Sequence, residues 1–403
     1  MTEFILQESG PPVECRLDRR VVEALVAVGA ASVAPLGLDR WSLRAAGKVG
    51  VVRLGDLTVW VKPKITISRL LWLLGWTRRA VFDAPGPVAL QEADDLVVVI
   101  AEAFCGQAEK AVRTGVLQGY RNVESSEAVL RGRLRASDQL RRRFGMVVPL
   151  LVRFDDFLID IPENQVLKAA ASYLLTLPGL SPSIRARLRA LRGLLVEVTD
   201  LSSRSQLPAW HATRLNARYH DALWLAKVIL AGRSVDHQPG QLRLDGFLIN
   251  LYQVFEDFVT DTLGQVLTRI AGRCQAQDHH SLDDGGLIDI RPDLVWRIGG
   301  HAAAVIDAKY KAEKPAGFPQ ADLYQALAYA TAYGLNEAHL VYAAGNEVAQ
   351  GWTVRHAGIR IAAHTLDLEQ KPAAILDQVE ALGLRIAAPL ALGARNRVVQ
   401  EAG

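Results

Sequence analysis

Residues 289–311 read DIRPDLVWRIGGHAAAVIDAKYK and hold two acids and a lysine whose types and spacing suit phosphodiester chemistry. Side chains alternate faces along a strand, so Asp307 and Lys309 share one face and Ala308 takes the other. Gly299 and Gly300 can reverse the chain into a hairpin. A turn centred on Gly300 sets Asp293 across from Asp307, and opposed Cβ atoms of an antiparallel pair stand roughly 5 Å apart. Two carboxylates and one ammonium then converge without a long loop to gather them. A hard cation such as Mg²⁺ prefers oxygen ligands and keeps several waters, so one or two protein carboxylates suffice to hold it. Such an ion polarises a phosphodiester and helps deliver water to it. A lysine beside it can orient that water or stabilise charge developing on the phosphate. Adjacent carboxylates also raise each other's pKa, a repulsion that a cation and Lys309 relieve. The competing interpretation is an exposed strand pair with a surface salt bridge, because Asp-x-Lys alone is a common pattern. The Pro292–Asp293 step, the hairpin spacing and the apolar run Ala304–Ile306 ahead of the polar pair favour the site.

The elements that must position these residues alternate helix and strand. A helical pattern over Leu248–Ala271 precedes strands over Leu287–Ile298 and Ala302–Tyr310. A helix over Ala321–Tyr333 and strands over Ala338–Ala343 and Gly358–Leu366 follow. That order predicts an α/β domain around a mixed sheet. Upstream, Lys48–Ile67 reads as a β-hairpin turning at Gly55–Asp56, with Val51, Leu57, Val59 and Val61 facing a core and Pro63 ending the second strand. Ser68–Trp76 predicts a short buried helix and Ala93–Arg113 a longer one. Further helices are expected within Asp160–Leu177, Pro182–Leu195 and Ala217–Leu230, and Gly232–Gly246 reads as a linker. The fold class is therefore α/β and β-rich multidomain. A β-rich part over 1–90, a mainly α-helical middle over 91–240 and an α/β part over 241–403 make it up.

Composition narrows the setting. The 46 Lys and Arg against 43 Asp and Glu leave a formal net charge of +3, so any affinity for nucleic acid has to come from local patches. Cys15, Cys105 and Cys274 are far apart and form no CxxC pair, which argues against a disulfide framework or zinc cluster and suits a reducing cytoplasm. The first ten residues lack a signal-peptide layout, and Ala24–Leu38 is too short for a membrane span and contains Pro35. A cytoplasmic protein with no membrane partner is expected. No GxxxxGK[ST] phosphate loop occurs, so any nucleotide hydrolysis must come from another chain.

Other residues carry weaker signals. The arginines between Arg113 and Arg143 fit DNA phosphate, an acidic partner surface or a solvated face interleaved with Glu124, Glu127 and Asp138. His279–His280 and Asp283–Asp284 read as a polar loop rather than a metal cluster. Trp72, Trp76 and Trp224 read as core. Asn164, with Glu163, reads as a residue that caps and orients the following helix.

RPDLVW followed by VIDAKYK resembles the nuclease motif of the McrC family, endonuclease subunits of methylcytosine-directed restriction systems within the PD-(D/E)xK superfamily. VGVVRLGDLTVWVKPKI, GVLQGYRNVESSEAVLRGRLRASDQL, FDDFLIDIPENQVLKAA and LYQVFEDFV resemble further blocks of that family, in its order, from about Lys48 to Tyr333. The resemblance implies a C-terminal PD-(D/E)xK fold in which Asp293, Asp307 and Glu256 hold Mg²⁺ and Lys309 completes the motif. It also implies a role for Gln325, in DLYQALAYA, near the scissile phosphate or a base. The expected activity is Mg²⁺-dependent endonucleolytic cleavage of double-stranded DNA, leaving 5′-phosphate ends. The implied partner is a McrB-like AAA+ GTPase, expected as a hexameric ring, which docks the N-terminal part, carries DNA recognition and is stimulated in return. An adaptor with an incidental nuclease and a stand-alone repair nuclease are the alternatives.

Overall fold

The computed structural model describes residues 2–75, 96–201, 207–234, 244–310, 319–343 and 350–401. The expected hairpin is present as strands Lys48–Leu54 and Leu57–Lys62, turning at Gly55. Its four expected core residues, Val51, Leu57, Val59 and Val61, are buried. Thr2–Gln7 adds a parallel strand on one side of the hairpin. On the other side Leu244–Asn250 pairs antiparallel with Lys48–Leu54, and Arg233–Ser234 closes the sheet. Strands at both ends of 232–246 correct the linker expectation for the described residues there; positions 235–243 lie outside them. Gly50, opposite Leu248, allows this pairing: a Cβ there would come within 2.0 Å of the Phe247 carbonyl oxygen. The first sheet is thus completed by a strand nearly two hundred residues downstream, a long-range pairing that local patterning does not reveal.

Strands Val13–Arg16, Arg40–Ala45 and Ala31–Gly37 form a small second sheet beside the helix Arg19–Ala27. The helix expected over Ser68–Trp76 spans Ile67–Gly75, with Leu70, Leu71 and Leu73 buried; Trp76 lies outside the described residues. In the middle of the chain, helices Leu96–Val112, Pro162–Leu174, Pro182–Leu194 and His220–Ala231 bury their apolar faces together. Between the first two, the arginine-dense stretch forms a three-stranded sheet of Gly119–Glu127, Leu150–Leu158 and Arg133–Leu134 with the short helix Ala136–Arg142. The middle is therefore helical with an inserted sheet, which the expectation of a mainly helical region lacked.

The last part is a six-stranded mixed sheet in the order Arg273–Ala276, Leu294–Ile298, His301–Lys309, Glu337–Ala343, Arg360–Leu366, Gln350–Thr353. The first three strands run antiparallel, the next two lie parallel to His301–Lys309, and Gln350–Thr353 is antiparallel again. The opening helix begins at Leu251 rather than Leu248, because Leu244–Asn250 is a strand and the Asn250 side chain caps the helix by accepting from Tyr252 N at 3.1 Å. That helix packs with the C-terminal helix Pro372–Glu401 on one face of the sheet. The helix Gln320–Ala332 packs on the other. Leu294, Trp296, Ala304 and Ile306 point to the first face; Val295 and Val305 point to the second. Burying a branched side chain is worth about 1.5–3 kcal/mol. A slip of one residue would exchange the two faces and bury charge in the core, so packing on both faces fixes the register.

Candidate active site

The expected strand over Leu287–Ile298 is broken in two. Asp289–Ile290 pairs with His280–Ser281, and the hairpin strand proper starts at Leu294. Pro292 sits in the gap, where its missing N–H costs no ladder bond. Gly299 and Gly300 take φ of 59° and 89°, the two positive values that a two-residue hairpin turn requires. That turn alone pairs Ile298 with His301 and would offset Asp293 from Asp307 by one residue. A bulge beyond Trp296–Arg297 restores the register, so that Leu294 faces Ile306 and Asp293 comes next, beside Asp307. Asp293 is also tied to that strand directly, its Oδ2 accepting from the Ala308 N–H at 2.8 Å.

Asp307 and Lys309 follow Val305 onto the face covered by Gln320–Ala332. Asp307 is only 3 % exposed. Burial, reinforced by the Asp293 charge, pushes its pKa up against the opposing pull of Lys309. Lys309 Nζ makes an ion pair with Asp307 Oδ2. Burial works against the charge of Lys309, yet the Asp307 carboxylate, with Asp322 and Asp293 behind it, raises its pKa and keeps it an ammonium. Lys309 Nζ also donates to Gln325 Oε1 at 2.8 Å. Gln325 Nε2 donates to Tyr329 Oη at 2.7 Å, and that hydroxyl donates to the Arg291 carbonyl at 3.2 Å. The lysine is thus linked through Gln325 and Tyr329 to the backbone that carries Asp293.

Glu256 reaches the same end of the sheet from the opening helix on the other face. Burial, then the charges of Asp293 and Asp257, push its pKa up to about 7. Between Glu256 and Asp293 lies Gln277, which the sequence reading missed. Its Nε2 donates to Glu256 Oε1 and, at 3.1 Å, to Asp293 Oδ1. Position 277 follows the strand Arg273–Ala276, which pairs with Leu294–Ile298; a strand assignment there would have placed Gln277 near Asp293. All five expected site residues, Asp293, Asp307, Lys309, Glu256 and Gln325, therefore belong to one hydrogen-bonded and electrostatically coupled cluster.

The donors are carboxylate oxygens, the kind a hard divalent ion takes. Asp307 Oδ2 is buried with the Lys309 ammonium beside it, and a cation would add to the stabilisation of a charge that burial and Asp293 still oppose. As they stand, however, no three His, Cys, Asp or Glu side chains among the described residues are gathered into a set that could hold a metal ion. Gln277 and Lys309 currently share the oxygens concerned.

The other candidates make contacts of their own within the protein. Asp283 accepts from the N–H groups of Leu287 and Ile288, and His280 stacks on Tyr333 with ring centroids 4.6 Å apart. Asn164 and Glu163 do not cap their helix, which starts at Pro162 with Ile161 as a cap that makes no side-chain bond; Asn164 donates to the carbonyls of Leu117 and Ile159 at 2.8 and 2.6 Å, and Glu163 accepts from Asn216 at 2.9 Å. Trp72 and Trp224 pack against the core. Arg121, Arg131 and Arg135 pair with Asp160, Asp156 and Glu124 within the protein. No described helix is long and apolar enough to cross a membrane.

The family described as McrBC 5-methylcytosine restriction system component matches residues 43–343. One chain of a Thermococcus gammatolerans assembly superposes on 94 % of this chain and 99 % of its own length, with a TM-score of 0.59 at 17 % identity. That assembly is described as a refined half-complex from a tetradecameric assembly of McrB AAA+ hexamers with bound McrC. A chain of the Thermococcus gammatolerans McrBC complex covers 66 % of this chain and 88 % of its own, with a TM-score of 0.40 at 18 % identity. No individually curated protein matches. At these identities the first superposition speaks for the fold alone, while the family match spans well over half of the sequence: the chain belongs to the McrBC 5-methylcytosine restriction system component family.

Proposed function

We propose that this chain is the Mg²⁺-dependent endonuclease subunit of a modification-dependent restriction system, cutting double-stranded DNA when an AAA+ GTPase partner engages it. The observation that carries this reading is the meeting of Asp293, Asp307 and Lys309 at one end of a mixed sheet, in a chain of this family. The six-stranded sheet with helices on both faces supports a PD-(D/E)xK fold for the last part, although Leu244–Asn250 pairs into the first sheet. Asp293 and Asp307, with Glu256 beside them, would hold the cation. When bound, Mg²⁺ supplies polarisation of the scissile phosphate and a more acidic water. Lys309, held as an ammonium by Asp307, is placed to orient the attacking water and to stabilise charge on the phosphate. Gln325 fixes the lysine from the neighbouring helix.

The partner reading rests on the assembly of McrB AAA+ hexamers with bound McrC, one chain of which superposes along nearly all of this one. Tyr120 on the inserted sheet, and Phe144 and Val147 in the loop after its short helix, support it, being 79 %, 86 % and 78 % exposed. Large apolar side chains left exposed suit docking to a partner. On this reading the isolated chain cuts weakly and the DNA modification is read by the partner.

The test is Asp307→Ala in the complex reconstituted with the AAA+ protein. Loss of DNA cleavage with stimulation of the partner's NTPase retained supports the proposal. Unchanged cleavage would make the chain an adaptor. Vigorous Mg²⁺-dependent cutting of unmodified DNA by the chain alone would instead favour a stand-alone nuclease.

A further inference from the structure

Gln277 takes a φ of +51°, a region that L side chains rarely adopt. The backbone on either side holds it there. Gln277 N donates to the Asp293 carbonyl at 2.9 Å. The next residue, Asp278, is buried and accepts from Arg297 at 2.5 Å and from the Tyr333 hydroxyl at 2.9 Å. A residue that only closed a loop in this conformation would most cheaply be glycine or asparagine. A glutamine kept there by anchors on both sides aims its amide at a target. The target is the gap between Glu256 and Asp293. Ionised carboxylates only accept hydrogen bonds, so the NH₂ end of the amide must face them. Its two hydrogens go to one oxygen of each acid.

We propose that Gln277 is a positioning residue for the cation-binding acids: its amide cross-links Glu256 and Asp293 and yields their oxygens to Mg²⁺ when the ion binds. This rests on the metal-site reading above. The amide and the cation compete for the same lone pairs, so Gln277 sets an affinity lower than the acids alone would give. Loading the site then means exchanging one neutral donor for the ion, with Asp293 still held by the Ala308 N–H.

The test is cation binding to the full chain, with no cleavage involved. Free Mn²⁺ is followed by its EPR signal, and Mg²⁺ by competition, for the wild type, Gln277→Ala and Gln277→Gly. Glycine removes the amide while suiting the positive φ, so it keeps the test alive if the alanine variant folds poorly. The expected result is binding about tenfold tighter in both variants, the loss of roughly one charge-assisted hydrogen bond from the competing state. Equal or weaker binding in the variants, with the wild type still binding, would overturn the inference and leave the metal site standing. A wild type that binds neither ion would overturn both.

Discussion

Asp160 sits just beyond the Leu150–Leu158 strand and Asp307 near the end of His301–Lys309, yet the protein treats the two carboxylates in opposite ways. Asp160 accepts from Gln165 Nε2 at 2.8 Å, from Thr199 N at 2.9 Å, from Thr199 Oγ1 at 2.7 Å and from Arg121. Burial opposes its charge, but those donors and the Arg121 cation outweigh it and hold the pKa below the ordinary carboxylate range. Asp307 is more deeply buried, has the Asp293 charge for a neighbour and is met by Lys309 at Oδ2. Its pKa is held above that range. A fully satisfied carboxylate fastens the inserted sheet to the helices. One that burial and a neighbouring acid oppose carries repulsion that Lys309 offsets only in part and a bound cation would relieve further, the mark of a site with work to do.

The largest effect expected from this contrast concerns cleavage. Asp307→Asn removes the charge while keeping the shape. DNA cleavage by the reconstituted complex should fall on the order of a thousandfold, as for loss of a principal catalytic group. Melting in EDTA should change little, because the relief of a buried, repelled carboxylate is set against the loss of the Lys309 ion pair. A marked loss of stability in EDTA would break the contrast, since Asp307 would then be a structural residue like Asp160.

Asp160→Asn should do the reverse. It turns several charge-assisted hydrogen bonds into weaker neutral ones and leaves Arg121 unpaired, a cost of about 2 kcal/mol in denaturant unfolding. A fall in cleavage should appear only where the variant begins to unfold. Wild-type stability would mean that the hydrogen bonds around Asp160 are dispensable.

The two sites should also respond to pH with opposite signs. Asp160 binds its proton less readily in the folded chain than in the unfolded one. Its contribution is therefore present above the unfolded carboxylate pKa and is lost as pH falls below about 4. Glu256 and Asp307 bind theirs more readily when folded. Their contribution is full below about pH 4.5 and is lost as pH rises towards the Glu256 value of about 7. Stability in EDTA should thus decline between pH 5 and 8, by about 1 kcal/mol once solvent screening at partly exposed Glu256 is allowed for. Glu256→Gln should flatten that slope, and saturating Mg²⁺ should raise the melting temperature more at pH 8 than at pH 5. A slope unchanged in the variant would show that Glu256 does not titrate in this range.

How much of this was legible in the sequence differs between the two carboxylates. Asp307 and Lys309 share a face by strand alternation alone, and the Gly299–Gly300 pair announced the turn. Asp293 was placed opposite Asp307 by centring that turn on Gly300. The structure reaches the same juxtaposition by a tighter turn and a compensating bulge, which alternation cannot foresee. Gln277 was invisible because its role depends on a positive φ and on anchors as distant as Tyr333. The donors to Asp160 come from Arg121, Gln165 and Thr199, which no local pattern joins. The strand Leu244–Asn250 was hidden for a similar reason: its apolar run Phe247–Ile249 is separated from the apolar helix pattern by Asn250 alone, and its partner lies near the start of the chain.

The smallest effect concerns the link between the two arms of the site. Tyr329 Oη accepts from Gln325 Nε2 and donates to the Arg291 carbonyl, two residues before Asp293. Tyr329→Phe removes both bonds while keeping the ring in the second core, which also holds Val305 and Leu340. Two neutral hydrogen bonds are worth about 1 kcal/mol each, so a modest loss of stability is expected. The sharper readout is cleavage. If Gln325 acts by holding Lys309, freeing its amide should cost about three- to tenfold in rate, with DNA affinity unchanged and Gln325→Ala matching that loss. If Gln325 instead reaches DNA itself, Tyr329→Phe should leave the rate intact while Gln325→Ala weakens DNA binding. The pair of variants therefore decides whether this glutamine belongs with the satisfied, fastening groups around Asp160 or with the groups that meet substrate.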